Sequence, residues 1–337
     1  NIKKMVPGND LEVDVEWSLL PTVTLPNLEA ISITQKKTKV EDKEVDDAVG
    51  ELRRMRASEV VSAEAAGKTD RVVVDMTISL DKVPVEGGTT KDHSVYLDEQ
   101  AYIPGLTEQL LGLKKDEAKL FDLSFPEKYY NKMLAGKTAQ FDVKVKEVYA
   151  RTLPELNDDF AKTLGQESAE KLRSLLRENL LTEAERKSKD TANAEMIDTL
   201  IQKSEFSEIP EILITAEKER LFAEFKAHLE EGGITIDQYL ADIKKTVEEV
   251  AEGFTEKGVI RIKGSLVLRN LAKLEGIVVS DPELQQEITE VRRAYQENPN
   301  IDDRLKDQNI IEYIKMNLTH RKATQKLAER LVKKETE

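Results

Sequence analysis

No cysteine occurs in this 337-residue chain. Disulfides, thiolate catalysis and cysteine-ligated zinc are excluded together, although that absence does not fix the compartment. Aromatics make up 5% of the residues against 34% charged, which favours long solvated helices over a large aromatic core. Positive charge is outweighed: 51 Lys and Arg against 65 Asp and Glu give a formal net charge of -14. Binding to nucleic acid or to an anionic membrane through bulk charge is not expected. No apolar run reaches the length of about 18 residues that a membrane span needs, and no signal peptide is visible. The histidines His93, His228 and His320 sit in unrelated segments and make neither a metal site nor a triad. Gly87-Gly88 and Gly232-Gly233 read as a turn and a helix stop, since no phosphate-loop spacing surrounds them. Acid pairs such as Asp158 and Asp159 read as helix-start charges rather than catalytic carboxylates. No cofactor is called for.

What is present sorts by period. The length suits about two or three domains. Within residues 70–149, Val72 and Val74, then Phe121, Leu123 and Phe125, then Phe141, Val143 and Val145 alternate apolar with polar, the period of half-buried strands. Between them Leu106, Leu110 and Leu111 follow a Pro-Gly opening, which suits one short helix lying on a sheet. Upstream, Leu11, Val13, Val15, Trp17 and Leu19 alternate with acids and Ser18. That strand either belongs to a sheet whose other strands precede residue 1 or packs on a helical body. From Glu41 the stripe Val45, Val49, Leu52 and Met55 predicts an amphipathic helix.

After Arg151 the helical period dominates. Leu172, Leu176 and Leu180 share one stripe, and Met196, Leu200 and Ile201 another. Pro210 opens a helix with Ile214, Leu221, Phe222, Phe225 and Leu229. Thr235–Gln238 and Ser280–Glu283 carry capping-box signatures, each with an apolar residue before and after that can staple the start. The first predicts a helix through Tyr239, Ile243, Val247 and Val250, the second one through Leu284, Ile288, Val291 and Tyr295. A helix with Val259, Ile262, Leu266 and Leu274 lies between them, and a long final helix follows Asn298-Pro299-Asn300. No repeat or sustained heptad is apparent. The fold class is α+β and multidomain: an antiparallel sheet with a short helix, inserted between a helical arm and an extended, irregular all-α body.

Several blocks carry a likeness to a known family. They are Asp70-Arg71-Val72-Val73-Val74-Asp75, Glu86-Gly87-Gly88, Tyr102-Ile103-Pro104-Gly105-Leu106, Gly112-Leu113-Lys114-Lys115, Phe125-Pro126 and Phe141-Asp142-Val143-Lys144-Val145. In this order and spacing they resemble the FK506-binding-protein (FKBP) type of prolyl isomerase. With the segment from Leu153 to Gly165, LPELNDDFAKTLG, the whole chain resembles the trigger factor family of bacterial chaperones. The resemblance implies residues 1–36 as a remnant of the N-terminal ribosome-docking domain with a linker, and 37–65 as a helical arm. It implies 66–149 as the isomerase domain and 150–337 as a helical chaperone body with arms forming a cradle. The family's Gly-Phe-Arg-rich docking loop is not in the sequence, and the chain begins with Asn1 rather than Met, so it reads as a fragment.

The resemblance also implies a site. Prolyl isomerisation crosses a barrier of about 18–20 kcal/mol set by amide resonance. It needs no nucleophile, only an apolar pocket that binds the twisted amide better than either planar form. Carried over by the family pattern, the catalytic pocket is Met76, Val85, Tyr102, Ile103, Leu106, Tyr129 or Tyr130, and Phe141, with Glu86 at the acidic position. Leu106 stands where the family has an aromatic floor, Met76 and Val85 where it has aromatic walls, and Ile78 where a glycine is common. Aliphatic replacements remove the flat surfaces on which a proline ring stacks, so a reduced isomerase rate is expected. The bland alternative is that these side chains fill the core of a small sheet domain; for Phe141 and Ile103 the two readings stand level.

For client contact, Phe222, Phe225, Tyr239 and Tyr295 are the candidates, with ordinary helix core as the competing reading. The leading function is an ATP-independent holding chaperone for unfolded or nascent polypeptides, with a weakened isomerase attached. The alternative is a dedicated isomerase whose helical parts position or dimerise it. A scaffold without clients would bury all its apolar helix faces. The resemblance implies a cytoplasmic protein whose relatives meet the ribosome through the docking domain. Neither nucleic acid nor membrane is an expected partner, and a homodimer is left open.

Overall fold

The computed structural model describes residues 2–4, 12–13, 19–81, 83–99, 103–129, 131–296 and 300–335. The chain divides into two compact units, Lys39–Thr182 and the pair of segments Asn1–Thr38 with Glu183–Glu337. The mixed α+β class expected from the sequence is what the chain adopts.

At the N-terminus β1 (Ile2–Lys4) pairs antiparallel with β2 (Glu12–Val13), Ile2 opposite Val13. Of the Leu11–Leu19 alternation only Glu12–Val13 and Leu19 are described, and β1 gives Glu12–Val13 a backbone partner; Leu11 and residues 14–18 lie outside the described residues. β3 (Val23–Thr24) and β4 (Ile33–Gln35) follow, separated by a one-turn 3-10 helix that Asn27 caps by accepting from the Glu29 amide.

In the Lys39–Thr182 unit, α1 (Asp42–Met55) starts at a reciprocal cap between Glu41 and Glu44 and buries Val45 and Val49. The sheet then forms from β5 (Ser58–Ser62), β6 (Arg71–Leu80), β7 (Val83–Tyr96), β8 (Ala118–Ser124) and β9 (Thr138–Thr152), with α2 (Leu106–Leu110) between β7 and β8. All pairings are antiparallel, in the order β5-β9-β6-β7, and β8 shares with β5 the outer edge of the long β9. Alternation of burial along β6 and along β9 as far as Val145 puts Val72, Val74, Met76, Phe141, Val143 and Val145 on one inner face, beneath Leu106 and Leu110 of α2.

Gly87-Gly88 is not the turn that the sequence suggests. Thr77 pairs with Thr89 while Ser79 pairs with Pro84, so Ile78 faces a bulge of residues 85–88. Gly87 there has φ +74, and a Cβ on Gly88 would lie 2.9 Å from the Val85 carbonyl oxygen; a glycine pair satisfies both demands.

Beyond the sheet, α3 (Asp158–Thr163) is capped by Asn157, whose side chain accepts from the Phe160 amide. It packs Phe160 and Ala161 with Leu172 of α4 (Ala169–Lys203) and with Leu52 of α1. Arg173 pairs with Asp46 at 2.6 Å and Arg177 with Asp42, so α1 and the first turns of α4 run antiparallel. The two leucine-rich stripes read in the sequence are the ends of this one helix.

The other unit holds the second half of α4, β10 (Glu205–Phe206), α5 (Glu211–Glu231), α6 (Ile236–Ile243), α7 (Val247–Glu252) and α8 (Thr255–Leu274). α9 (Asp281–Ala294), α10 (Ile301–Arg304), α11 (Gln308–Leu331) and β11 (Val332–Lys334) complete it. The single helix expected from Tyr239 to Val250 is two, because Lys244 takes a left-handed conformation (φ 53) and a second capping box, Thr246 with Glu249, restarts the chain. The long helix expected after Asn298-Pro299-Asn300 is also two, α10 and α11, the second capped anew by Asp307; Asn298 and Pro299 lie outside the described residues.

The N-terminal strands thread this unit. β3 pairs antiparallel with β10, and β4 runs parallel to β11 with Ile33 opposite Val332. Asn270 donates to the Val23 carbonyl at 2.8 Å and Ser188 to that of Lys36 at 2.7 Å. Ile31 and Ile33 thereby join Met196, Leu200, Val267 and Leu271 in the core.

Candidate functional site

The sheet domain gathers most of the implied isomerase residues at one place. Met76 on β6, Ile103 before α2, Leu106 at its first position and Phe141 on β9 are buried in one cluster, with Val85 and Tyr129 packed against it and part exposed. Gly105, at φ 87, turns the chain into α2 and aims Leu106 at the sheet. Tyr102 and Tyr130 lie outside the described residues, as does the side chain of Glu86.

Aromatics beyond those of the implied pocket frame this cluster. Phe121 stands opposite Phe141 across β8 and β9, their rings parallel within 3° and 5.7 Å apart. Phe125 lies 5.8 Å from Phe141 and 4.7 Å from Tyr129. The run Phe121–Phe141–Phe125–Tyr129 is continuous, but Phe141 and Phe125 are buried, so most of its flat surface is turned into the domain core. The alternation of Phe121 and Phe125 with Phe141 in a neighbouring strand is the sequence signal for it.

The helical unit carries two apolar hollows. The larger, about 830 Å³, lies among α4, α5, α8 and α11 and is lined by Leu20, Ile197, Ile201, Ile260, Tyr313 and Met316. The smaller, about 480 Å³, lies among α9, α10 and α11 and includes Tyr295, Ile301, Ile310 and Ile314. Tyr313 and Asn317 line both, so the hollows adjoin across α11. Tyr295 is 61% exposed, Ile260 46% and Tyr313 38%.

Ion pairs set the wall of the larger hollow. Arg261 of α8 makes two 2.8 Å bonds to the Glu224 carboxylate of α5 and lies 3.1 Å from Glu217. That bidentate bond raises the Arg261 pKa and lowers that of Glu224. Arg220, 3.0 Å from Glu217, sits 5.4 Å from the Tyr313 ring centre. On α11, His320 is pushed below its ordinary value by burial and by the Arg269 charge.

Of the four client-contact candidates, only Tyr295 lines a hollow. Phe225 packs edge-on against Tyr239 at 5.1 Å and lies 5.7 Å from Phe254, joining α5 to α6 and to the start of α8. Phe222 is part buried on α5. No group of residues among those described could hold a metal ion, and no described helix is long and apolar enough to cross a membrane.

Comparison with known proteins accords with this geometry. A family model described as the bacterial trigger factor protein C-terminus matches residues 168–329, and the bacterial trigger factor model for the N-terminal part matches residues 1–52. The FKBP-type peptidyl-prolyl cis-trans isomerase model matches residues 62–146. The chain is 33% identical over 302 residues to the trigger factor of Halalkalibacterium halodurans, covering 88% of this chain and 69% of the relative. It is 31% identical to that of Caldicellulosiruptor bescii, covering 96% and 74%. The trigger factor of Streptococcus mutans is 32% identical, covering 88% and 70%. With an FKBP-type sheet set between helical segments and this likeness running along nearly its whole length, the chain belongs to the trigger factor family of chaperones.

Proposed function

We propose that this chain holds unfolded or nascent polypeptides without ATP, through the apolar hollows of its helical unit, and that its FKBP-type domain is a prolyl isomerase of reduced rate. The observation that carries the holding role is the exposure of Tyr295, Ile260 and Tyr313 around adjoining hollows. A scaffold without clients would have buried these faces. Burial of a client's apolar surface at about 25 cal/mol per Å² supplies affinity without sequence selectivity, and no nucleotide loop is in the sequence. The aliphatic Met76, Val85 and Leu106 support the reduced rate, because catalysis here rests on binding the twisted amide and not on acid or base chemistry.

Of the candidates for client contact, Tyr295 is retained and Tyr313, Met316 and Ile260 are added. Phe225 and Tyr239 are assigned to joining helices, and Phe222, part exposed on α5, stays a candidate.

The test is suppression of aggregation of an unfolded client by the whole chain and by a deletion variant. Ser62 and Val148 are cross-strand partners, so a short turn can replace residues 63–147 and leave the β5–β9 ribbon closed. Protection that survives the deletion assigns holding to the helical unit. Protection lost while that unit stays folded moves client binding to the sheet domain and favours the dedicated isomerase.

A further inference from the structure

Along β8 the half-buried positions are Lys119, Phe121 and Leu123, alternating with exposed neighbours. Two are apolar and the first is a cation. Lys119 stands opposite Val143, a fully buried member of the sheet domain's core, at a register position that suits an apolar side chain. An ammonium drawn towards such a face needs partners to offset its lost hydration.

The partners are specific. Lys119 Nζ donates to the Gln109 carbonyl at 2.8 Å and stands 5.9 Å from the Phe121 ring centre, within reach of a cation–π contact. The carbonyl has use for that donor. In a continuing helix the amide of Leu113, or in a tighter last turn that of Gly112, would reach Gln109. Gly112 donates instead to Ala66 at 2.9 Å and Leu113 to Leu110 at 3.3 Å. A cation also suits the negative end of a helix. At the other end of α2, a Cβ on Gly105 would lie 3.0 Å from Leu123 Cδ2, so the helix start rests directly on β8. One strand thus holds both ends of a helix of 5 residues, a length that is not stable alone.

We propose that Lys119 is a positioning residue of the isomerase, fixing α2, and Leu106 with it, against the aromatic rings of β8 and β9. This inference rests on the isomerase activity assigned to the sheet domain. Leu106 lies three residues before Gln109, on the same side of α2, so a displaced Gln109 carries Leu106 along. The same ammonium faces Phe121, whose ring stacks on Phe141. Catalysis by preferential binding of the twisted amide depends on how these side chains are spaced.

The test compares Lys119→Met, which keeps the stem and removes the donor, with Lys119→Arg, which keeps a charged donor. NMR exchange on a short proline peptide gives kcat and KM for each full chain. The Met variant is expected to lose about threefold to tenfold in kcat with KM within about twofold, and the Arg variant to stay within about twofold of the parent in both, since geometry and not ground-state binding is disturbed. Thermal unfolding reports whether the sheet domain is folded. Where Lys119→Met does not fold, Lys119→Gln carries the same expectation, its amide nitrogen stopping one atom short of Nζ. A side chain that serves stability alone would lower the thermal midpoint and leave kcat of the folded protein unchanged, which overturns the proposal. Equal losses in the Met and Arg variants overturn it too, because packing of the stem would then account for the effect. A parent without a measurable rate overturns the isomerase reading and this role together, whereas an active parent matched by a folded Lys119→Met overturns the role alone.

Discussion

Arg151, near the end of β9, donates from Nη1 to Asp98 Oδ1 at 2.9 Å, with side chains only 4% and 14% exposed. The same guanidinium reaches the Arg54 carbonyl at 3.2 Å, lies 3.4 Å from Glu59 and sits 4.6 Å from the Tyr96 ring centre. One side chain thus fastens the end of α1, the β5 edge and the turn after β7.

Removing it leaves the largely buried Asp98 carboxylate without its cation, while Glu59 keeps Arg71 at 2.7 Å. Arg151→Ala should destabilise the Lys39–Thr182 unit by about 3 kcal/mol or more, in line with breaking a buried pair. Urea unfolding followed by amide exchange of β5 and β9 reads this directly. Unchanged protection of those amides would mean that Asp98 is solvated in solution.

The cap of α9 makes a pH prediction. Lys322 donates to Glu283 at 2.6 Å, and the Ser280 amide and hydroxyl each donate to it at 2.8 Å. The Lys322 bond first, then those from Ser280, hold the Glu283 pKa down at about 2. A carboxyl depressed on folding stabilises the native state above its unfolded pKa, near about 4.3, and loses that contribution as pH falls through the folded value. Glu283→Gln should therefore be less stable than the parent at pH 7. The two should converge as pH drops from about 4.3 towards 2, as comparison of their thermal unfolding along that range would show. A constant difference across it would assign the effect to the hydrogen bonds alone.

How far the sequence can be read follows from the lengths involved. Long periodic segments are legible: β6, β8 and β9 by alternation, α1 by its Val45–Val49 stripe, and the starts of α6 and α9 by capping boxes that both form. Strands β3, β4, β10 and β11 are of two or three residues, too short to show a period. They exist because Ile31 and Ile33 find cover against Met196 and Leu271, a tertiary cause with no local signature. The break at Lys244 is hidden for a related reason. A non-glycine residue at positive φ announces nothing in sequence, and only the Thr246–Glu249 box behind it marks the restart.

The candidate sites divide the same way. Strand periodicity places Phe141 on an inner face, and the family pattern places Leu106 and Met76 beside it. Which apolar faces of the helical unit stay open depends on how α4, α5, α8 and α11 leave space between them, and no stripe encodes that. Phe225 and Tyr313 both lie on long helices, yet one closes on Tyr239 while the other faces a hollow.

The isomerase reading turns on Leu106. The side chain is buried at the start of α2, over a face that already carries Phe141. Leu106→Trp adds an aromatic surface against which a proline ring can lie, which should bind the twisted amide better and raise kcat/KM on a short proline peptide. The larger ring also crowds a packed cluster at a cost of about 1–3 kcal/mol, so the thermal midpoint should fall while the rate rises. That opposition separates catalysis from stability, since a merely better-packed domain would gain in both. The parent rate should lie well below that of an aromatic-lined relative assayed alongside it. A parent rate equal to the relative's, or a folded Leu106→Trp protein no faster than the parent, would show that the Phe121–Phe141–Phe125–Tyr129 run already provides all the aromatic surface the reaction uses.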